Sequence, residues 1–239
     1  MKHRILVFTV HKAASLGVYD VMRNIARKEG WPLHSANLIK PNLVEPAAPG
    51  NPDFYKQLAG KVGLVGPVRM PVAISPEALQ SDSFILHLRD PRDVLVSMFY
   101  SWSYSHPGVN DEYRESLRQK GIDNFCLHQS ADLKRKYELY LRDLISLPQT
   151  TRLKYEDFVL NRPLWFGQFL GAMGIGDKID QYARLAKDNP AEKVGVEDIT
   201  AHIRKATPGD HLEKLKRQTR DTLNAEWRDI LRALDYSEA

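Results

Sequence analysis

The sequence predicts an α/β fold, with a central parallel sheet flanked by helices, and three observations carry that prediction. Short apolar runs at Arg4–Val10, Lys61–Val68 and Ser83–Leu88, and a further short strand at Thr151–Lys154, alternate with segments of helical spacing, the order expected when parallel strands are joined by crossover helices. The first run gives way within a few residues to a helical stripe at Val18, Val21, Met22, Ile25 and Ala26, a strand, loop and helix in succession. The 239 residues, 43% apolar and 27% charged, suit one ordinary globular domain spanning residues 1–239.

Each element follows from local chemistry. Arg4–Val10 is β-branched and apolar, bounded by polar residues, and the helical stripe starts at Ser15. Asn37–Asp53 carries Pro41, Pro46, Pro49, Gly50 and Pro52, which predicts an irregular connection, a candidate mobile loop. Lys61–Val68 reads as a core strand interrupted by glycines. Ser75-Pro76-Glu77 then opens a short helix with a capping hydroxyl and a proline in the first turn. Ser83–Leu88 is the next strand, and Asp90-Pro91 starts a helix expected to reach about Ser105. Further helices are expected over Ile122–Leu147 and Leu164–Ala172, with the strand Thr151–Lys154 between them. The stripe Leu223, Trp227, Ile230, Leu231 and Leu234 marks a C-terminal amphipathic helix.

Composition narrows the function classes. The single cysteine, Cys126, excludes an intrachain disulfide and a cysteine-rich zinc site, which predicts a cytoplasmic setting. Met1-Lys2-His3-Arg4 before an apolar run has the outline of a signal peptide, but the run stops at His11-Lys12 without a small-residue cleavage site. No apolar stretch is long enough to span a bilayer. The net charge is +4, and residues 201–220 alone hold an excess of that size through Arg204, Lys205, Lys214, Lys216, Arg217 and Arg220 against Asp210 and Glu213. Such a cluster suits an anion, a nucleic acid or merely a solvated face.

Three segments are built to meet an anion. In Thr9-Val10-His11-Lys12-Ala13-Ala14-Ser15-Leu16-Gly17, small residues between a strand and a helix bring backbone N–H groups near a phosphate, and Lys12 adds a full charge. The GxxxxGK[ST] pattern is absent, and Ala13 stands where a magnesium-binding hydroxyl would follow the lysine. In Arg89-Asp90-Pro91-Arg92-Asp93-Val94-Leu95-Val96-Ser97, Arg89 ends a strand and Ser97 lies about two turns into a helix, so a guanidinium fork and a hydroxyl converge. In Ile203–Asp210, Arg204 and Lys205 lie in a turn-rich loop that can close over a ligand. Taken singly, each has a plain structural reading: a surface lysine, a capped helix with a structural Arg–Asp pair, a solvated basic loop.

In this order the segments resemble the sulfotransferase family that uses 3′-phosphoadenosine 5′-phosphosulfate, over nearly the whole chain. His11-Lys12-Ala13-Ala14-Ser15-Leu16 stands where that family has Pro-Lys-Ser-Gly-Thr-Thr, keeping the lysine and one hydroxyl but not the glycine. Arg89 to Ser97 reproduces the family's Arg-x-Pro-x-Asp-x-x-x-Ser spacing for the 3′-phosphate. Tyr155-Glu156-Asp157 is similar to the family's Tyr-Glu-Asp segment, whose tyrosine lies against adenine. Arg204-Lys205 with Gly209-Asp210 is similar to its late Arg-Lys-Gly…Gly-Asp segment, with Ala206 in place of the first glycine.

The resemblance implies a P-loop-like sulfotransferase fold and a nucleotide held by Lys12, Ala13, Ala14, Ser15, Leu16, Arg89, Ser97, Tyr155, Arg204 and Lys205, with adenosine 3′,5′-bisphosphate as product and no metal. It implies in-line displacement at sulfur, with Lys12 and the amides of Ala13 to Leu16 stabilising the leaving oxygen, each well-aimed donor contributing about 3 kcal/mol. The segment Val65-Gly66-Pro67-Val68-Arg69-Met70-Pro71 lacks the histidine that the family's cytosolic branch uses as general base. His11 and His106 are the alternatives, and His106 is also a candidate acceptor contact. The expected partner is a hydroxyl-bearing small molecule, lipid or glycan; no nucleic acid is expected. Aromatics at Phe99, Tyr100, Trp102 and Tyr104 do not select among acceptors, and Trp102 shares a helical stripe with Val94, Leu95 and Met98. Two other classes stay open: a small-molecule kinase of P-loop type, and a non-catalytic nucleotide- or nucleic-acid-binding protein.

Overall fold

The strands β1 (Arg4–Thr9), β2 (Leu33–His34), β3 (Gly63–Val68), β4 (Ser83–Leu88) and β5 (Thr150–Lys154) form one sheet in the order β2-β3-β1-β4-β5. Every pairing in it is parallel. This is a computed structural model that describes residues 3–36, 43–44, 48–187, 197–199 and 204–237. Residues 37–42 and 45–47 of the proline-rich connection, and 201–203 of the basic segment, lie outside the described residues.

The chain divides into two compact units, residues 1–88 with 139–188, and residues 89–138 with 189–239. The first holds the whole sheet. Its helix α1 (Ser15–Glu29) packs on β2 and β3, while α6 (Arg162–Ala172) packs on β4 and β5. Ile5, Leu6, Val7 and Phe8 of β1 are fully buried, as the central strand of such a sheet must be. Thr9 pairs with His87, so β1 and β4 end side by side. After β1 the chain crosses toward β2 on one side, and β5 lies on the other side of β4. The paired ends of β1 and β4 are therefore the topological switch point, where open parallel sheets receive ligands.

The first unit also holds α2 (Pro76–Ser81), capped by the Ser75 hydroxyl as expected, together with α5 (Tyr155–Leu160) and α7 (Ala183–Lys187). In the second unit, α3 (Pro91–Tyr100) continues as a π-helical turn through Ser105. There α8 (Asp210–Lys214) is short, and α9 (Arg217–Ala233) buries Leu223, Trp227, Ile230 and Leu231 along the predicted stripe. The Trp227 indole donates to the Ser130 hydroxyl at 2.8 Å, which donates to Glu226 at 2.7 Å.

Several elements depart from expectation for identifiable reasons. The helix expected from Ile122 begins at Asp111 as α4 (Asp111–Tyr140), broken at Gly121, where φ is 78° and ψ 161°. Its first part is almost entirely polar, with Leu117 buried, so no apolar stripe announces it. β2 is two residues long, too short for a period to register. The stretch Pro52–Leu58 is a 3₁₀ helix set by Pro52 and by the Asn51 side chain, which accepts from the Asp53 amide. α5 follows β5 without a linker. Among the described residues no helix is long and apolar enough to cross a membrane.

Candidate functional site

Past Thr9, whose carbonyl accepts a 2.7 Å hydrogen bond from the Tyr140 hydroxyl, the chain turns into α1 through two left-handed residues. Lys12 has φ 68° and Ala14 φ 55°, a conformation that costs a residue with a Cβ about 1–2 kcal/mol and persists where the surroundings fix it. Ala14 caps α1 without a side-chain hydrogen bond, so the first-turn amides of Ser15, Leu16 and Gly17 gain no partner from a capping side chain. Together with the helix dipole they favour an anion. The predicted residues Lys12, Ala13, Ala14, Ser15 and Leu16 form one such turn.

Beneath it lies an aromatic floor in the same unit. A Cβ at Gly17 would stand 3.0 Å from Cζ of Phe158, so the bare residue lets α1 lie directly on that ring. Phe158 meets Trp165 edge-on at 4.8 Å, Trp165 stacks on Phe169 at 4.7 Å, and the Arg162 guanidinium lies 3.8 Å over Phe158. Tyr155 is buried with its ring 6.5 Å from that of His87. His87 is fully buried in β4; its Nε2 lies 3.0 Å from the Ala13 carbonyl, and the Trp165 indole donates to its Nδ1 at 3.2 Å. Burial pushes this imidazole down to about 3, with the Arg162 charge adding to it against the pull of the Ala13 hydrogen bond.

In the second unit Asp90 caps α3 as expected, accepting from the Arg92 amide at 2.9 Å. Both arginines of this stretch pair with an aspartate as the sequence leaves open, Arg89 with Asp93 and, more tightly, Arg92 with Asp90. The Arg92 guanidinium grips Asp90 at 3.0 and 2.7 Å, and donates to Asn224 and to the Ser237 carbonyl at 2.7 Å each. Arg89 is differently placed. Its carbonyl accepts from the Tyr137 hydroxyl at 2.6 Å, and its Nη2 lies 3.5 Å from Asp93. Ser97 is half-buried two turns into α3.

Asp93 organises this unit. Its carboxylate, fully buried, accepts from the Gly209 amide at 2.7 Å, the His211 amide at 3.0 Å and His211 Nδ1 at 2.7 Å. Burial alone would raise its pKa, but the His211 hydrogen bonds and the Arg89 charge outweigh that and hold it well below the usual carboxylate range. The segment so anchored carries the predicted cations. Arg204 bonds Glu197 and Asp210, and lies 4.2 Å over the Tyr100 ring. Lys205 bonds Asp210 at 3.0 Å and Glu213 at 2.7 Å. Asp93 thus joins Arg89 to the Gly209–His211 turn, whose Asp210 pairs with Arg204 and Lys205.

His106 is exposed, and its Nδ1 accepts from the Gly108 amide at 3.1 Å within a turn that Arg114 also pins. His11 is exposed at the first loop, and Trp102 is half-buried against Phe125 at 5.5 Å. Sequence reasoning missed His87 and His211. A histidine inside an apolar strand run was the available signal for the first; nothing local announces the partner of the second.

Neither a protein-family model nor a curated protein sequence matches the chain. Among solved structures it is similar to mouse sulfotransferase SULT7A1 complexed with PAP, at a TM-score of 0.55 and 14% identity, over 98% of this chain and 86% of that one. The fold is that of the sulfotransferases. Retinol dehydratase in complex with androsterone and inactive cofactor PAP is also similar, at a TM-score of 0.51 and 16% identity, over 95% and 80% of the two chains. The sulfotransferase fold agrees with the parallel sheet order and with the fold class predicted from sequence.

Proposed function

We propose that this chain is a sulfotransferase that binds 3′-phosphoadenosine 5′-phosphosulfate as donor and passes its sulfuryl group to a hydroxyl acceptor. The observation that carries the reading is the buried Asp93, which holds the Arg89 end of the signature and the Gly209–His211 turn together. That arrangement gives the Arg-x-Pro-x-Asp spacing a physical reason: the aspartate joins two cation-bearing segments for a phosphate that AMP and ATP lack. Arg89, Ser97, Arg204 and Lys205 are assigned to the 3′-phosphate, Tyr155 to the adenine end, and Lys12 with the amides of Ala13 to Leu16 to the 5′ side.

The residues present fit such a nucleotide. The turn before α1 has small side chains and no capping hydroxyl to compete with an anion, and Arg89 is 5% exposed, shielded from water that would weaken a phosphate contact. The donor supplies an activated sulfur whose bond to the 5′-phosphate oxygen breaks as the acceptor oxygen attacks. Lys12 stabilises charge on the departing oxygen, an effect worth about 3 kcal/mol for a well-placed donor. The acceptor proton passes to a base, with His11 and His106 as the histidines to test. A cytoplasmic location and a single working domain belong to the same proposal. Calorimetry tests it: adenosine 3′,5′-bisphosphate should bind far more tightly than AMP, and labelled donor should transfer sulfur to a hydroxyl acceptor without magnesium. Equal affinity for the two nucleotides overturns it.

A further inference from the structure

We infer that His87 is a positioning residue for the turn ahead of α1, holding the Ala13 carbonyl in the core so that the Ala14 amide is aimed outward at an arriving anion. The inference rests on the anion-binding reading of that turn. Trp165 Nε1 has only a proton to offer, so His87 Nδ1 must accept, and the ring's own proton sits on Nε2, from which it is donated to Ala13. The tautomer is therefore fixed by chemistry on both sides of the ring. In a trans peptide the carbonyl and the next N–H point in opposite directions. Drawing the Ala13 carbonyl inward turns the Ala14 N–H away from His87.

The need for such a clamp is local. Lys12 and Ala14, on either side of Ala13, are both left-handed and neither is glycine; a turn of this kind relaxes unless its surroundings over-determine it. Ala14 stands where the resembling family has glycine. His87 is held in turn by edge contacts with Phe158 at 5.6 Å and Trp165 at 5.7 Å, and Phe158 is the ring on which Gly17 rests. One buried histidine thus braces both ends of the turn, the Ala13 carbonyl directly and α1 through Phe158.

The test follows the Ala14 amide in protein labelled with ¹⁵N-alanine, titrated with inorganic sulfate, adenosine 3′,5′-bisphosphate and adenosine 3′-monophosphate. In the wild type the Ala14 resonance should move with sulfate and with the bisphosphate. His87→Leu should lose about tenfold in affinity for both, the worth of one well-placed hydrogen bond, while affinity for the 3′-monophosphate stays unchanged. His87→Gln, which donates to Ala13 and accepts from Trp165, should restore binding. A merely structural histidine would weaken all three ligands alike. Should the leucine variant fail to fold, Trp165→Phe removes the donor that fixes the tautomer and should weaken sulfate and bisphosphate selectively. If sulfate moves Ala14 through His87 but the bisphosphate does not bind, the donor assignment fails and the positioning role stands. An Ala14 resonance that responds identically in wild type and His87→Leu, or that responds to neither anion in the wild type, overturns the inference.

Discussion

At the scale of single residues the stretch Arg89 to Ser97 contains two arginines in different surroundings. Arg92 has a carboxylate fork, an amide oxygen and a carbonyl as partners at 2.7 to 3.0 Å, so it serves the fold. Arg89 meets Asp93 at 3.5 Å, while Gly209 and His211 hold that carboxylate at 2.7 Å. Because Arg89 is buried and its charge helps hold Asp93 ionised, replacing it by alanine should lower thermal stability, and on the proposed assignment the folded variant should also lose affinity for adenosine 3′,5′-bisphosphate by about 30- to 100-fold, the worth of a charge-assisted contact, with AMP unaffected. Calorimetry on the folded variant checks this, and an unchanged bisphosphate affinity would remove Arg89 from the site. His87 makes a second prediction, through pH. Its folded value, about 3, lies below the ordinary 6.5, so the unfolded chain takes up the proton first. The stability it contributes is complete above pH 6.5 and is lost as pH falls toward 3, at about 1.4 kcal/mol per unit. Urea unfolding at pH 7.5 and 5.5 should show wild type losing about 1 kcal/mol more than His87→Gln over that interval. Parallel losses in the two proteins would mean that His87 is not held neutral.

At the scale of elements, what the sequence reveals depends on whether burial writes a period. β1, β3, β4 and α9 were legible because each presents an apolar run or stripe to a core. The start of α4 was not: Asp111 to Lys120 is a solvated helix with few apolar residues, and Gly121 interrupts it. The site divides the same way. Lys12 and the residues Arg89 to Ser97 are contiguous motifs, whereas the pairing of Asp93 with His211 spans more than a hundred positions and leaves no local mark. Glycine chemistry turns the helix description into a prediction. Gly121 occupies a region that a Cβ strongly disfavours, so Gly121→Ala should destabilise by about 1–3 kcal/mol. Gly171, exposed within α6 with nothing near its missing Cβ, should behave oppositely, alanine adding about 0.5–1 kcal/mol. Chemical denaturation of both variants checks the pair; two changes of the same sign would contradict the backbone conformation at one of the positions.

At the scale of the whole molecule, net charge invites a nucleic-acid reading that the ion pairs argue against. The excess of cations at residues 201–220 looks like a polyanion site in sequence. In the fold, Arg204 is held by Glu197 and Asp210, Lys205 by Asp210 and Glu213, and Lys214 by Glu197. A cation already neutralised by a carboxylate has little counterion displacement to offer a polyphosphate, and counterion release is what drives non-specific binding. A small nucleotide is a different case, since on the proposed assignment one compact phosphate competes for Arg204 and Lys205 without a long basic track. Two salt titrations separate these outcomes. Single-stranded RNA should bind weakly at moderate salt, because the remaining cations of the segment are few and Lys216 and Arg217 themselves lie near Asp123 and Asp221. Adenosine 3′,5′-bisphosphate should keep a shallow slope, corresponding to about two phosphate contacts. RNA binding that falls with salt as steeply as five or more phosphate contacts would require the carboxylate pairs to open for a polyanion, and would favour the nucleic-acid reading over sulfuryl transfer.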